Sequence, residues 1–492
     1  MSIDFSLIIP ELLILSSFLF VLLLLIFNNV TKLKWLSYFC ILAVIATITL
    51  TFVFKDRMGI VSDNFLEVSK ISNFFRYLFL FSGASLLISL IVSKVEKPGI
   101  YALILISIFS AMSLELSSNL LSLLVFLEIV TVLSYFIPTL KFEKIDWLAY
   151  LRYVIFGIIS TFLIIYLFSF IYGMTGSFSL NVEITNIESV SLLFIIAIII
   201  LMAIMIIRLS LFPFHYWFPP LAKEGGFLTT LFFSILVMPA NLLVFKEILE
   251  KYNFLDFKFT VYIVLFFLCL TILFFNIGAI YQKNIWKFLA FSNVANICLI
   301  LVGFLYYQYL RIYNMSVYNM FFISLLIYMI STSGLMIGLE IYRIFKLKNN
   351  WGNFLEDIKG GARATPILTL PLFVLLISQI GIPGTANFLF KYSLIKTIIG
   401  AGGYINLTVS IFLIINYLII FYYYGRIIFN MFSGIKKDIT VNSENKEIDI
   451  LKKGLRLTIS LAFIIICSAI LLILGIYGII NTKFYEILMN LF

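Results

Sequence analysis

Apolar residues run through this chain in blocks longer than a soluble core needs, separated by short polar punctuation. Residues 12–27, 101–112, 192–207 and 457–480 carry no charged side chain. Several such blocks approach the roughly 20 residues that cross the hydrocarbon of a bilayer. The punctuation divides the chain into about fourteen helices, a number set by span length. Their expected bounds are 6–27, 35–54, 74–93, 99–115, 118–140, 147–172, 188–211, 226–248, 260–280, 285–307, 317–345, 366–398, 404–430 and 456–480. The longest polar stretch, 434–453, joins the last two. The fold class expected is an all-α integral membrane protein. The first block lacks a basic leader and a small-residue cleavage site, so it reads as a retained helix.

Two blocks are broken by proline at membrane depth, LSLFPFHYW (209–217) around Pro213 and GIPGTAN (381–387) around Pro383. Proline removes a backbone donor and frees carbonyls. Lipid cannot satisfy those groups, whereas a protein-lined or watery cavity can. Broken helices in corresponding halves of a chain point to an ion path. The plainer reading is a pair of kinks used for packing.

Composition sharpens this picture. The 492 residues are 63% hydrophobic and 12% charged, with a net charge of +10. Lys and Arg concentrate about 21 to 8 in the loops that follow odd-numbered helices, which by the positive-inside rule places both termini outside. That asymmetry absorbs most of the excess charge and argues against a nucleic-acid partner. The four cysteines lie in apolar runs without paired spacing, which suits small core residues better than disulfides or a metal site. A single histidine excludes a multi-histidine metal cage or a haem pair. No Gly-rich phosphate loop of the expected form appears.

Charged residues inside the apolar runs carry the functional signal. Each costs roughly 2.5–3.5 kcal/mol at the centre of a membrane helix. Glu128 sits midway along the fifth expected span. Burial and a nearby cation act on a carboxyl in opposite senses, and a group balanced between them exchanges protons near neutral pH. The alternative is a structural ion pair locking two helices. Arg152, near the start of the sixth span, either snorkels to the headgroups or pairs with Glu128. Arg208 directly precedes the Pro213 break and is either part of the charged path or a helix-end anchor. Lys391 follows the second break by eight residues, and a desolvated lysine can both donate and accept a proton. His215 titrates in the physiological range when unperturbed, though a lone histidine among aromatics is also a common structural residue. Glu340 and Arg343 have the spacing of a local helix pair. The run Tyr422–Tyr424 beside Arg426 reads as an interfacial aromatic belt.

Several segments together resemble the antiporter-like membrane subunits of respiratory complex I, most closely the N-type subunit. They are IPELL (9–13), SNLLSLLVFLE (118–128), YLRYVIFG (150–157), YGMTGS (172–177), PFHYW (213–217), QKNIWKFLAFS (282–292), GIPGTANFLFK (381–391) and YYYGR (422–426). The resemblance spans nearly the whole chain in the expected order. It implies two inverted five-helix repeats, at 99–248 and 257–430, with helices 1–3 in 1–98 and a polar loop plus helix 14 in 431–492. It also places the family's buried glutamate on Glu128, its lysines of helices six and seven on Arg152 and Arg208, and the lysine of the second broken helix on Lys391.

Three departures stand out. The lysine usual in helix eight, near 235–242, is absent; the histidine of helix ten is Asn296; and two lysines are arginines. Arginine is effectively never deprotonated in proteins, so Arg208 is expected to set the field at Glu128 without passing protons itself. Water and hydroxyls would then bridge Glu128, His215 and Lys391. The resemblance implies a proton-translocating, non-redox subunit of a quinone oxidoreductase in a prokaryotic plasma membrane, or alternatively an organellar inner membrane. This chain would hold no cofactor or metal, while quinone, FMN and Fe–S clusters would sit in partner subunits. A subunit of a multi-subunit cation/proton antiporter or of a membrane-bound hydrogenase is the alternative.

Overall fold

The computed structural model describes residues 5–27, 35–62, 65–95, 97–141, 147–180, 191–252, 254–256, 258–309, 315–346, 358–360, 365–433 and 455–481. The polar stretch 434–453 and several basic loop residues, such as Lys32, Lys34 and Lys144, lie outside them. Within the described residues, eleven helices are long and apolar enough to cross a membrane, and three shorter ones are equally apolar. Helices dominate because in lipid each backbone donor must find its acceptor within the chain, which a helix does segment by segment.

Contacts divide the chain into two units. The first holds Met1–Leu90 and Val95–Thr271, the second Ile91–Lys94 and Ile272–Leu491. The division falls inside one helix, Lys258–Ile280.

The first unit runs α1 (Ile9–Phe27), α2 (Leu36–Val53), strands β1 (Gly59–Ser62) and β2 (Leu66–Val68), α3 (Lys70–Val92), α4 (Pro98–Leu114), α5 (Leu120–Lys141), α6 (Trp147–Thr175) and α7 (Ser191–Arg208). After the break come α8 (Phe218–Phe232), a π turn (Phe233–Val237), α9 (Met238–Lys251) and the start of α10 (Lys258–Ile280). Every residue from Phe227 to Lys246 is buried, so this stretch forms the centre of the unit. By contrast α1, α2 and α6 show rows of exposed Leu, Ile and Phe, the surface that a lipid solvent favours. Serines on α3 and α4 (Ser82, Ser85, Ser107, Ser110) donate to carbonyls three residues back, which lets polar side chains sit in apolar surroundings.

One end of this unit is capped by paired backbone. β1 and β2 form an antiparallel hairpin, and Glu67 N donates to Leu116 O at 2.8 Å. The pairing continues through Leu120 N to Phe178 O and Leu180 N to Ser118 O. Beneath it, Leu7, Val61, Val68 and Leu116 make a small apolar cluster. Arg76 on α3 grips Glu11 on α1 with two bonds of 2.7 and 3.0 Å, and adds Asn73 Oδ1 and the Leu7 carbonyl. Both charges are buried and fully engaged, so this pair joins helices.

The second unit contains the rest of α10, then α11 (Ile285–Tyr309), α12 (Met315–Lys346), α13 (Pro366–Ile380), α14 (Ala386–Gly400), α15 (Tyr404–Phe432) and α16 (Leu455–Ile480). Here α11 and α12 are the buried centre, and α15 presents its apolar side chains outward. Glu340 and Arg343 form the expected local pair, bidentate at 2.8 and 2.7 Å. The aromatic belt needs correcting. Tyr422 is exposed, but Tyr423 and Tyr424 are buried and bond to Ser292, with Tyr423 also reaching Asn276. Their hydroxyls serve an interior network. None of the four cysteines forms a disulfide among the described residues, and three of them are buried.

A charged pair beside one helix break and a lysine inside the other

At the first break the chain leaves helical geometry after Arg208, passes Ser210 at φ 56, and re-enters helix at Phe218. The freed carbonyl of Ile207 accepts the Trp217 indole at 2.9 Å, and the Phe212 amide donates to Thr271 Oγ1 at 3.1 Å. Two backbone groups at the break thus find partners inside protein, as a surrounding without water requires. α8 bends again at Gly226, where φ is 65°.

Arg208, the last residue of α7, turns its guanidinium onto α5. Nη2 donates to Glu128 Oε1 at 2.5 Å, and Nη1 donates to Thr131 Oγ1 at 2.8 Å and to Asn241 Oδ1 at 3.5 Å. Thr161 of α6 donates to the other Glu128 oxygen at 2.9 Å. Four helices meet on this pair. The Arg208 side chain is 4% exposed and that of Glu128 19%, so the carboxylate is the member with access to its surroundings. Glu128 and Thr131 share a face because they are three residues apart on α5. A cavity of about 20 Å³ adjoins the pair, lined by Thr131, Tyr153, Gly157, Ser160, Arg208 and Asn241; that volume holds one water. Gly157 permits the close approach of α6, since a Cβ there would lie 2.0 Å from the Tyr135 hydroxyl.

The pairing of Arg152 with Glu128 does not form. Arg152 lies exposed near the start of α6, and Arg208 holds the carboxylate instead. His215 is buried in the break, where Nδ1 lies 3.1 Å from the Pro213 carbonyl and the ring stacks on Phe212.

In the second unit α13 ends at Gly381, whose φ of 82° is the left-handed cap that glycine favours. The turn through Pro383 and Gly384 leads into α14. Lys391 reaches back from α14 into the gap, donating to the carbonyls of Gln379 at 2.8 Å and Ile380 at 2.9 Å. Its ammonium also lies 5.1 Å from the centre of the Tyr417 ring. Gly381 is required twice over, because a Cβ there would meet Lys391 Cδ at 2.8 Å. Gln379 extends the site, accepting from Asn296 at 3.3 Å and donating to Ser331 at 3.1 Å. Asn296, at the position where the resemblance leads one to expect histidine, is thus an amide in an amide–hydroxyl chain, unable to gain or lose a proton near neutral pH.

Sequence reasoning missed Thr131, Thr161 and Asn241 as partners of the pair, and it counted Lys246 among loop charges. Lys246 is in fact 3% exposed, held among Glu115, Glu247 and Glu250.

Comparison with known proteins follows the same lines. Residues 117–416 match the profile of a family described as NADH:quinone oxidoreductase/Mrp antiporter, transmembrane. Over 335 residues the chain is 29% identical to NADH-quinone oxidoreductase subunit N of Cytophaga hutchinsonii, covering 68% of this chain and 70% of that one. In structure it resembles a chain of respiratory complex I from Thermus thermophilus, with a TM-score of 0.74 at 19% identity, covering 95% and 97%. It also resembles a chain of the Mrp complex from Dietzia, with a TM-score of 0.78 at 15% identity, covering 99% and 96%.

Proposed function

The chain belongs to the NADH:quinone oxidoreductase/Mrp antiporter transmembrane family, and from that premise we propose that it is the N-type proton-translocating membrane subunit of a complex I-like quinone oxidoreductase. The observation that carries this reading is the Glu128–Arg208 pair, built into the first helix break and braced by Thr131, Thr161 and Asn241. Arg208 keeps its charge at all accessible pH. Glu128 is therefore the member that exchanges protons, with Arg208 as its fixed counter-charge. When Glu128 is protonated, Thr131 and Asn241 still accept from the guanidinium, so the cation keeps partners through the cycle.

Lys391 is the corresponding group of the second unit. Its described acceptors are two neutral carbonyls, so losing its proton removes a buried charge without stranding a carboxylate. His215 and Arg152 are assigned to the edges of the route, as a proton relay at the break and a field-setting charge respectively. Electron transfer to quinone in partner subunits, which would hold the FMN and Fe–S clusters, shifts the charges along this axis. Helices 99–248 and 257–430 act as the two inverted repeats, in a bacterial plasma membrane with both termini outside. The name of the Cytophaga relative favours a quinone-linked assembly, while the likeness to the Mrp chain keeps a cation/proton antiporter as the second reading.

The test is proton translocation per electron pair in proteoliposomes holding the assembled complex. Glu128→Gln is expected to lower the ratio with quinone reduction retained. An undiminished ratio in that variant removes the reading in favour of a membrane scaffold.

A further inference from the structure

A second group of ionisable side chains lies in the first unit, apart from the helix break. Glu115 caps α4, and Lys246, Glu247 and Glu250 lie on α9. The Lys246 ammonium is within 3.7 Å of Glu115 and 3.6 Å of Glu250, and it also bonds Glu247. Lys246 and Glu115 are each 3% exposed. Glu247 and Glu250 are 13% and 28% exposed, so of the three carboxyls Glu115 is the one enclosed away from solvent. Ionising a carboxyl enclosed in this way costs several kcal/mol in desolvation, and the ammonium beside it is shared with two other carboxylates. Glu115 Oε2 is buried and has no hydrogen-bond partner among the described residues, so no described donor steadies a negative charge on that oxygen.

The geometry points to a proton-holding site in which Glu115 stores one proton against Lys246, at the end of the first unit's route. The inference rests on the translocation reading of this unit. Position supports it. Asn241, which touches Arg208, and Lys246 are on the same helix, about 7.5 Å apart along its axis. Glu115 lies just before α5 begins, whereas Glu128 lies about 12 Å along it. The group thus sits at the helix ends under the hairpin cap, where Glu67 pairs with Leu116 and Tyr252 donates to the Ser179 carbonyl. Burial raises the Glu115 carboxyl above its ordinary range; Lys246 opposes the rise, and Glu247 and Glu250 add to it. Lys246 is buried in α9, the helix that also carries Asn241.

Infrared titration of the intact assembly tests this. Wild type is expected to show the C=O stretch of a protonated carboxyl at neutral pH that Glu115→Gln loses and Glu128→Gln keeps. Should Glu115→Gln fail to assemble, Lys246→Met reads the same group, with the band persisting to higher pH once the counter-charge is gone. With electron transfer retained, Glu115→Gln should also lower the protons released per electron pair, and Glu115→Asp should restore them. A band unchanged in Glu115→Gln, or a release ratio equal to wild type, overturns the assignment. The infrared reading needs no turnover, so it separates failure of this site from failure of Glu128 as the translocating group.

Discussion

Arg208 and Glu128, eighty residues apart in sequence, meet at 2.5 Å where α7 stops. The break is what allows it. A continuous helix would keep the carbonyls of this turn in its own ladder; stopped here, α7 places a guanidinium at its end where three other helices supply acceptors. Removing one member of such a pair strands the other, at about 3–5 kcal/mol when fully buried. Arg208→Ala should therefore lower the thermal midpoint of the assembly, and the double variant Arg208→Ala/Glu128→Gln should recover part of that loss. Equal midpoints for the single and double variants would show that the two groups do not interact.

Arg208→Lys separates field from geometry. Lysine keeps the charge but lacks the planar fork that reaches Glu128, Thr131 and Asn241 together. Translocation should persist at a lowered ratio, while Arg208→Ala should abolish the subunit's share. An Ala variant that pumps like wild type sinks the electrostatic role.

Lys391→Met removes the donor shared by the Gln379 and Ile380 carbonyls. Buried acceptors left unsatisfied cost about 1–3 kcal/mol each, so this variant should lose stability as well as translocation. Gly381→Ala tests the same site from the other side. It forces a Cβ to 2.8 Å from Lys391 Cδ at a φ of 82°, and a left-handed alanine adds about 1–2 kcal/mol of strain. Unfolding followed by temperature in detergent checks both.

The Glu115 carboxyl has a definite sign in stability against pH. Its folded-state affinity for a proton is raised by burial above its ordinary value of 4.5, so the folded form binds the proton more tightly than the unfolded form does. Its contribution is then greatest below that ordinary value and declines as pH rises toward the raised one. Thermal midpoints measured across this range should fall for wild type and flatten for Glu115→Gln.

Much of the site was legible because an ionisable residue in an unbroken apolar run has few bland explanations. Glu128, Arg208 and Lys391 stood out for that reason, and so did the two proline breaks. Thr131, Thr161 and Asn241 did not. Hydroxyls in membrane helices commonly bond their own backbone, as Ser82 and Ser107 do here, so a threonine in sequence says nothing about a partner helix. Lys246 was misread because a lysine near a helix end resembles a loop charge, and only packing against Glu115 shows it buried. For Arg152 the pattern left snorkelling and pairing with Glu128 both open, since nothing in it distinguishes which arginine turns toward Glu128. The tyrosines at 423 and 424 differ from Tyr422 only by the side of α15 they occupy.

Gly475 of α16 lies against the second bend so closely that a methyl there would sit 2.4 Å from the Gly384 carbonyl oxygen and 2.6 Å from Thr385 Cα. The closing helix therefore works as a splint pressed on bare backbone, and the half-helices on either side cannot rock without carrying it along. Widening that seam by a single carbon, in Gly475→Ala, should loosen the bend and disturb Lys391 without touching any ionisable group.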